Sequence, residues 1–140
     1  MRILIVQNTD WIERNPAQQH HLAEMLALRG HEIHVVDFEI LWMKKVRDKI
    51  ISKRKIYEGF SKIHEEGKVT IFRPRIIKMP LLDYVSFMFS TIKEVLWQIK
   101  NFSPNVILSL GIVAFVAGVI AKLYRIPFMY YWIDVSHRLI

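Results

Sequence analysis

Three stretches of this chain gather side chains that could do chemistry. The first is Asn8–His21, where Asn8, Thr9, Asp10, Glu13, Asn15, Gln18, Gln19, His20 and His21 lie close together. Amides, carboxylates and imidazoles at that density can hydrogen-bond sugar hydroxyls or a phosphate, above all where a helix begins and turns free N–H groups outward. The stretch lacks the G-x-G-x-x-G spacing that brings a dinucleotide pyrophosphate against the backbone, which disfavours an NAD-type site. His20 and His21 also read as an ordinary helix pair, one half-buried and one solvated. Neighbours about 100° apart on a helix do not chelate one ion.

The second stretch is Tyr130–Leu139, which carries Asp134, His137 and Arg138. Asp134 could orient a hydroxyl or a neighbouring imidazole, and Arg138 could hold a phosphate. A capped turn leading into a solvated helix start fits the same residues. Ser136-His137 is not a hydrolase pair by itself, and the chain has no G-x-S-x-G elbow. The third stretch is Lys44–Lys55. Lys44, Lys45, Arg47, Lys49, Lys53, Arg54 and Lys55 stand there against Asp48 alone, a local +6 within a total of +7. The basicity is one patch, so it speaks of a partner surface. It reads as a solvated helix face or as a contact with anionic lipid head groups, where each cation adds about 1 kcal/mol. Nucleic acid is disfavoured: Trp42 and Tyr57 lie nearby without a regular aromatic platform.

These groups need a scaffold, and the chain opens with one. Arg2–Gln7 contains the unbroken apolar run Ile3-Leu-Ile-Val6, which suits a strand covered on both faces of a parallel sheet. Pro16 suits a first helical turn, and 17–29 places Leu22, Met25 and Leu26 on one face. Gly30 is expected to close that helix in the left-handed conformation before a strand over Ile33–Asp37. Phe38–Gly67 has helical spacing in Met43, Val46, Ile50, Tyr57 and Phe60, and is read as a basic helical insertion. A third strand follows at Lys68–Arg73. A long helix over Leu81–Asn101 has Leu82, Val85, Phe89, Ile92, Val95, Leu96 and Ile99 near one face. A fourth strand (Asn105–Ser109), a small-residue helix (Ile112–Tyr124) and a fifth strand (Phe128–Trp132) complete the pattern.

Strands alternating with helices predict an α/β, Rossmann-like doubly wound parallel sheet, helices on both faces, order 3-2-1-4-5. Ligands in such sheets sit beyond the carboxyl ends of the strands, at the switch between strands one and four. The loops after Gln7, Asp37, Ser109 and Trp132 are therefore the ones to inspect.

At 140 residues and 52% hydrophobic content, one domain with an ample core is expected. The absence of cysteine excludes disulfides and thiolate metal sites and is compatible with a reducing cytosol. Met1 leads directly into a strand, so a secretory signal is not expected. Val106–Ala121 is uncharged for sixteen residues, short of the roughly 20 that cross a bilayer. Ser109 and Gly111 split it into a buried strand and a buried helix.

The ordered set of segments resembles the N-terminal half of GT-B glycosyltransferases of the glycosyltransferase-4 type. Arg2–Val6, the polar loop, Leu22-Ala-Glu-Met-Leu-Ala-Leu-Arg-Gly-His-Glu-Ile33, Ser103–Ser109 and Ile126–Tyr131 carry the likeness. Asn15–Leu22 and Tyr130–Leu139 are similar to an archaeal branch of that family. The resemblance runs nearly end to end. It implies that 1–140 is an acceptor-side N-terminal domain, incomplete at its last strands, and that a donor-binding C-terminal domain belongs with it, in the same or a separate chain. It implies retaining transfer from a nucleotide sugar to a sugar or lipid-linked acceptor, with no bound metal and no cofactor. Asn8, Asp10 and Gln18 would face the reacting groups, and Ser109 and Gly111 would line the acceptor pocket, with Arg138 beside them. Asp134 matches the acidic position after the fifth strand. Ile133 stands where the family commonly has a His, and His137 is the imidazole assigned with Asp134. The paired glycines common after strand one are replaced by Glu13-Arg-Asn-Pro16.

A lone half cannot enclose a donor and exclude water, so the isolated chain is expected to be inactive. The expected setting is cytoplasmic, peripheral on the cytosolic membrane face through the basic patch. The competing reading is a non-catalytic Rossmann-like interaction or regulatory module that pairs with another chain. A nucleotide-binding enzyme of another Rossmann-like family ranks last for want of phosphate-cradling glycines.

Overall fold

The computed structural model describes residues 1–39 and 50–131. Strand β1 (Arg2–Val6) is apolar on both faces, and successive side chains enter opposite layers. Ile3 and Ile5 join one core with Trp11, Ala23, Ile33, Val35 and Ile71, whereas Leu4 and Val6 join the other with Val36, Phe38, Phe87, Val95 and Ile107. Helix α1 (Gln18–Leu28) follows and returns the chain to β2 (Glu32–Val36), parallel to β1. Gly30, at φ +89°, and His31 send their N–H groups back to Ala27 and Leu26, which ends α1 as expected.

Strands β3 (Lys55–Phe60) and β4 (Val69–Arg73), helix α2 (Leu82–Asn101), β5 (Val106–Ser109), α3 (Ala114–Leu123) and β6 (Phe128–Tyr130) complete the described elements. The sheet order is β3-β4-β2-β1-β5-β6. Five strands are parallel in the predicted order, and β3 adds an antiparallel edge on β4. That edge corrects the helical reading at 55–60. Residues 55–60 form a strand because Ile56, Tyr57 and Phe60 pair across to Phe72, Ile71 and Val69, with a register shift between Tyr57 and Phe60 at Gly59. Residues 40–49, the rest of the expected insertion's start, lie outside the described residues.

Both long helices present unexpected faces to the sheet. In α1, Gln19, His20, Ala23 and Glu24 are buried, whereas Met25 is exposed. The Glu24 carboxylate explains the rotation. It accepts the backbone N–H groups of Ile63 (2.9 Å), His64 (2.7 Å) and Lys62, filling a concave turn of amides. Gly67 closes over it so tightly that a Cβ there would lie 2.7 Å from the Glu24 carbonyl oxygen. In α2, the buried residues are Asp83, Phe87, Thr91, Glu94, Val95 and Gln98. Leu82, Val85, Phe89 and Leu96, expected in the core, are exposed. A polar chain turns the helix this way: His34 Nδ1 donates to Gln98 Oε1 (2.7 Å), Gln98 donates to Glu94 (3.0 Å), and Arg54 grips Glu94 with two bonds (2.7 and 2.9 Å). Burial lowers the His34 pKa, which keeps the ring neutral, and the ring stacks on Phe102 at 3.6 Å.

Replacing Glu24 by Ala strands three amide donors under α1. The expected cost is on the order of 2–4 kcal/mol in urea denaturation. Met25→Ala, on the exposed face, is expected to cost less than about 0.5 kcal/mol.

Candidate functional site

The carboxyl ends of β1, β2 and β4 meet in a buried charge cluster. Arg73, the last residue of β4, is 2% exposed and donates Nη2 to Asp10 Oδ1 (2.6 Å) and Asp37 Oδ2 (2.7 Å). Its Nη1 lies 3.8 Å from Glu39, which also faces Lys78 at 3.4 Å. Three carboxylates thus face two cations, a local excess of one negative charge. Burial, reinforced by the charge of Asp10, pushes the Asp37 carboxyl up to about 6, although Arg73 opposes the shift. Burial alone would lower Arg73, but Asp37, Asp10 and Glu39 together hold it above its ordinary value.

This cluster shapes the loop after β1. Asp10 Oδ1 accepts the N–H groups of Ile12 (3.2 Å) and Glu13 (3.0 Å), an Asx turn. Asp37 accepts the Trp11 amide at 3.3 Å, and Gln7 holds Thr9 through its side-chain amide. The Trp11 ring packs on His20 at a centroid distance of 4.3 Å. His20 caps α1 from its third position: Nδ1 accepts the Ala17 N–H (3.1 Å) and Nε2 donates to the Trp11 carbonyl (2.9 Å). Both ring nitrogens are engaged and burial lowers the pKa, so His20 is a neutral structural group. His21 is exposed and sits edge-on to His64.

At the switch between β1 and β5, Asn8 and Gly111 come together as the topology requires. Gly111 adopts φ +75°, and a Cβ on it would fall 2.2 Å from Asn8 Oδ1. Gln18 is exposed on the first turn of α1, 3.4 Å from the Tyr131 hydroxyl that donates to it. Asn8, Gln18 and Gly111 therefore stand on one accessible rim. Ser109 and Asp10 do not. Ser109 is fully buried with Oγ donating to the Val6 carbonyl (2.8 Å), and Asp10 is turned to Arg73. Both side chains hold the backbone from beneath the rim.

Asp134, His137 and Arg138 lie outside the described residues, as do Lys44, Lys45, Arg47 and Lys49. Lys53 and Lys55 are exposed, whereas Arg54 is committed to Glu94 and lies over the Trp97 ring at 4.6 Å. Among the described residues no group of three or more His, Asp or Glu side chains is placed to hold a metal ion. No described helix is long and apolar enough to cross a membrane. The sequence reading overlooked Arg73 and the roles of Asp37 and Glu39. An ionisable residue at each of two neighbouring strand ends was the available signal.

No protein-family model matches the sequence, and no curated protein matches it closely enough to indicate a relationship. Among solved structures, the chain is similar in fold to CalG4, the calicheamicin glycosyltransferase, with a TM-score of 0.55 and 14% identity over 97% of this chain. It is likewise similar to a UGT transferase from Siraitia grosvenorii solved in complex with UDP, with a TM-score of 0.53 and 10% identity over 93% of this chain. The match covers 34% and 28% of those chains, so this chain spans about a third of their length. Its fold is that of a Rossmann-like half of a GT-B glycosyltransferase.

The Asp37 shift carries a sign. Its native value lies above the ordinary 3.8, so its stabilisation is full below that pH and is lost as pH rises through about 6. Relative to Asp37→Asn, the natural chain is expected to lose stability between pH 4 and 6, and the Asp37 carboxyl carbon to titrate near 6 by NMR. At the switch point, Gly111→Ala forces a left-handed alanine against Asn8. A loss on the order of 1–3 kcal/mol is expected in urea denaturation, with amide shifts centred on residues 8 and 111.

Proposed function

We propose that this chain is the acceptor-side half of a glycosyltransferase that moves a sugar from a nucleotide-sugar donor to a lipid-linked or glycan acceptor. The observation that carries the reading is the accessible rim of Asn8, Gln18 and Gly111, at the β1–β5 switch of a fold shared with two glycosyltransferases. Amide groups at that rim suit sugar hydroxyls, and the Arg73 cluster fixes the loop that bears them. In this reading transfer is retaining, Asp134 and His137 act at the reacting centre, and Arg138 holds an acceptor phosphate. A donor-binding domain, in the same or another chain, closes over the rim and excludes water. The basic residues of Lys44–Lys55 other than Arg54, which Glu94 holds, rest on an anionic cytosolic membrane face.

Pairing with another chain without catalysis is a second reading. It is favoured by the outward face of α3, where Phe115 and Leu123 are 80% and 75% exposed. The two readings part in a binding and turnover experiment. Acceptor glycans and polyprenyl-phosphate sugars are expected to shift the amides of residues 8, 18 and 111 in NMR titrations. The chain alone is expected to give no transfer with a panel of nucleotide sugars. Robust transfer by the chain alone would overturn the half-enzyme reading, and nucleotide-sugar binding at the rim in place of acceptor would reverse its polarity.

A further inference from the structure

The rotation of α2 leaves a groove that the proposed reaction does not use. Its floor is the β4–α2 connection, held by Ser52, whose N–H donates to the Ile76 carbonyl (3.0 Å) and whose Oγ accepts the Ile76 N–H (2.9 Å). Ile51 and Ile77 form an antiparallel bridge there, and Ser86 Oγ accepts the Ile77 N–H at 2.9 Å. Against this fixed floor, the exposed face of α2 borders two adjoining open hollows. One, of about 480 Å³, is apolar and walled by Ile77, Val85 and Phe89; the other, of about 280 Å³, holds Lys93 and Trp97. Arg75 and Ser90 line both, so the two spaces adjoin as one open channel on the surface beside α2.

The ends of this channel differ in chemistry. At the smaller cavity Arg54, Arg75 and Lys93 face Glu94, and Arg54 is bound to Glu94. Arg75 and Lys93 have no ion-pair partner among the described residues, so two positive charges remain. At the larger cavity Phe89 is 65% exposed and Val85 52%. A ligand that satisfies both ends has an anionic head and a hydrocarbon tail. A free phosphate would leave the apolar walls wet, and a neutral lipid would leave the two cations unmatched. A second copy of this chain would bring like charge to the cationic end, given a total of +7. The volume falls within the range of small-molecule sites, about 300–1,000 Å³.

We propose that this channel binds one molecule of a phosphate-headed lipid, its head at Arg75 and Lys93 beside Trp97 and its chain along Ile77, Val85 and Phe89. Binding here is independent of glycosyl transfer and of the rim at Asn8 and Gly111.

The test uses the whole chain with dihexanoyl phosphatidic acid held below its micellar concentration, followed by calorimetry and by NMR. Saturable binding is expected, with amide shifts along residues 75–97. Arg75→Glu with Lys93→Glu, and separately Phe89→Ser, are each expected to weaken it about tenfold or more. Inorganic phosphate is expected to bind at least about tenfold more weakly than the lipid. All three positions are exposed, and unchanged melting of the variants verifies their fold. Lys122→Glu, on α3, serves as the charge control and is expected to bind as the natural chain does. Phosphate binding as tight as the lipid, or equal loss in the Lys122 variant, would overturn the proposal. So would binding only to phosphatidylcholine vesicles that contain phosphatidic acid and not to the monomeric lipid, which would mean adhesion to a bilayer surface. Concentration-dependent dimerisation abolished by Phe89→Ser would assign the channel to a second copy instead.

Discussion

Arg73 is the constraint around which the working end of this fold is arranged. A guanidinium has donors enough to serve several carboxylates at once, and it stays charged when buried. Placed at the end of β4, it draws in Asp37 from the end of β2 and Asp10 from the loop after β1. Each carboxylate then uses its remaining capacity on backbone amides, Asp10 on Ile12 and Glu13 and Asp37 on Trp11. One buried cation thus sets the path of a loop whose outer side carries Asn8. Removing one partner from such a group costs far more than the pair contributes, because the charges left behind remain away from water. The loop that bears Asn8 is thereby tied to the sheet at several points.

The same logic recurs away from the rim. Glu24 gathers three amides from residues 62–64, and Glu94 joins Arg54 to Gln98 and so to His34. These contacts lock α1 to the turn before β4 and α2 to β2. Both helices turn polar side chains toward the sheet, and α2 in consequence offers apolar ones to the outside. The groove along α2 and the sheet packing are two results of one rotation.

That rotation marks the limit of what was legible in the sequence. Ile3–Val6 and Val106–Ser109 are short apolar runs, and a run covered on both sides announces a parallel strand without help from elsewhere. The parallel order and the meeting of Asn8 with Gly111 follow from that alternation. Periodicity failed where a distant partner decides. Glu24 and Glu94 find their partners some forty positions away, so local spacing pointed Met25 and Phe89 inward when they face out. Residues 55–60 carry apolar groups at intervals that admit a helix or a strand, and pairing with β4 settles the matter. Ser109 and Asp10 have the chemistry of contact residues, but strand geometry points the first inward and Arg73 captures the second.

The two margins of the sheet are unlike. On the β3 side, the register shift between Tyr57 and Phe60 and the charges of Lys55 and Glu58 make a poor template for a further strand. On the β6 side, the strand is short and carries Phe128 and Met129 at the surface. Among the described residues the two borders therefore differ in kind: charge and an irregular ladder mark one, apolar side chains the other.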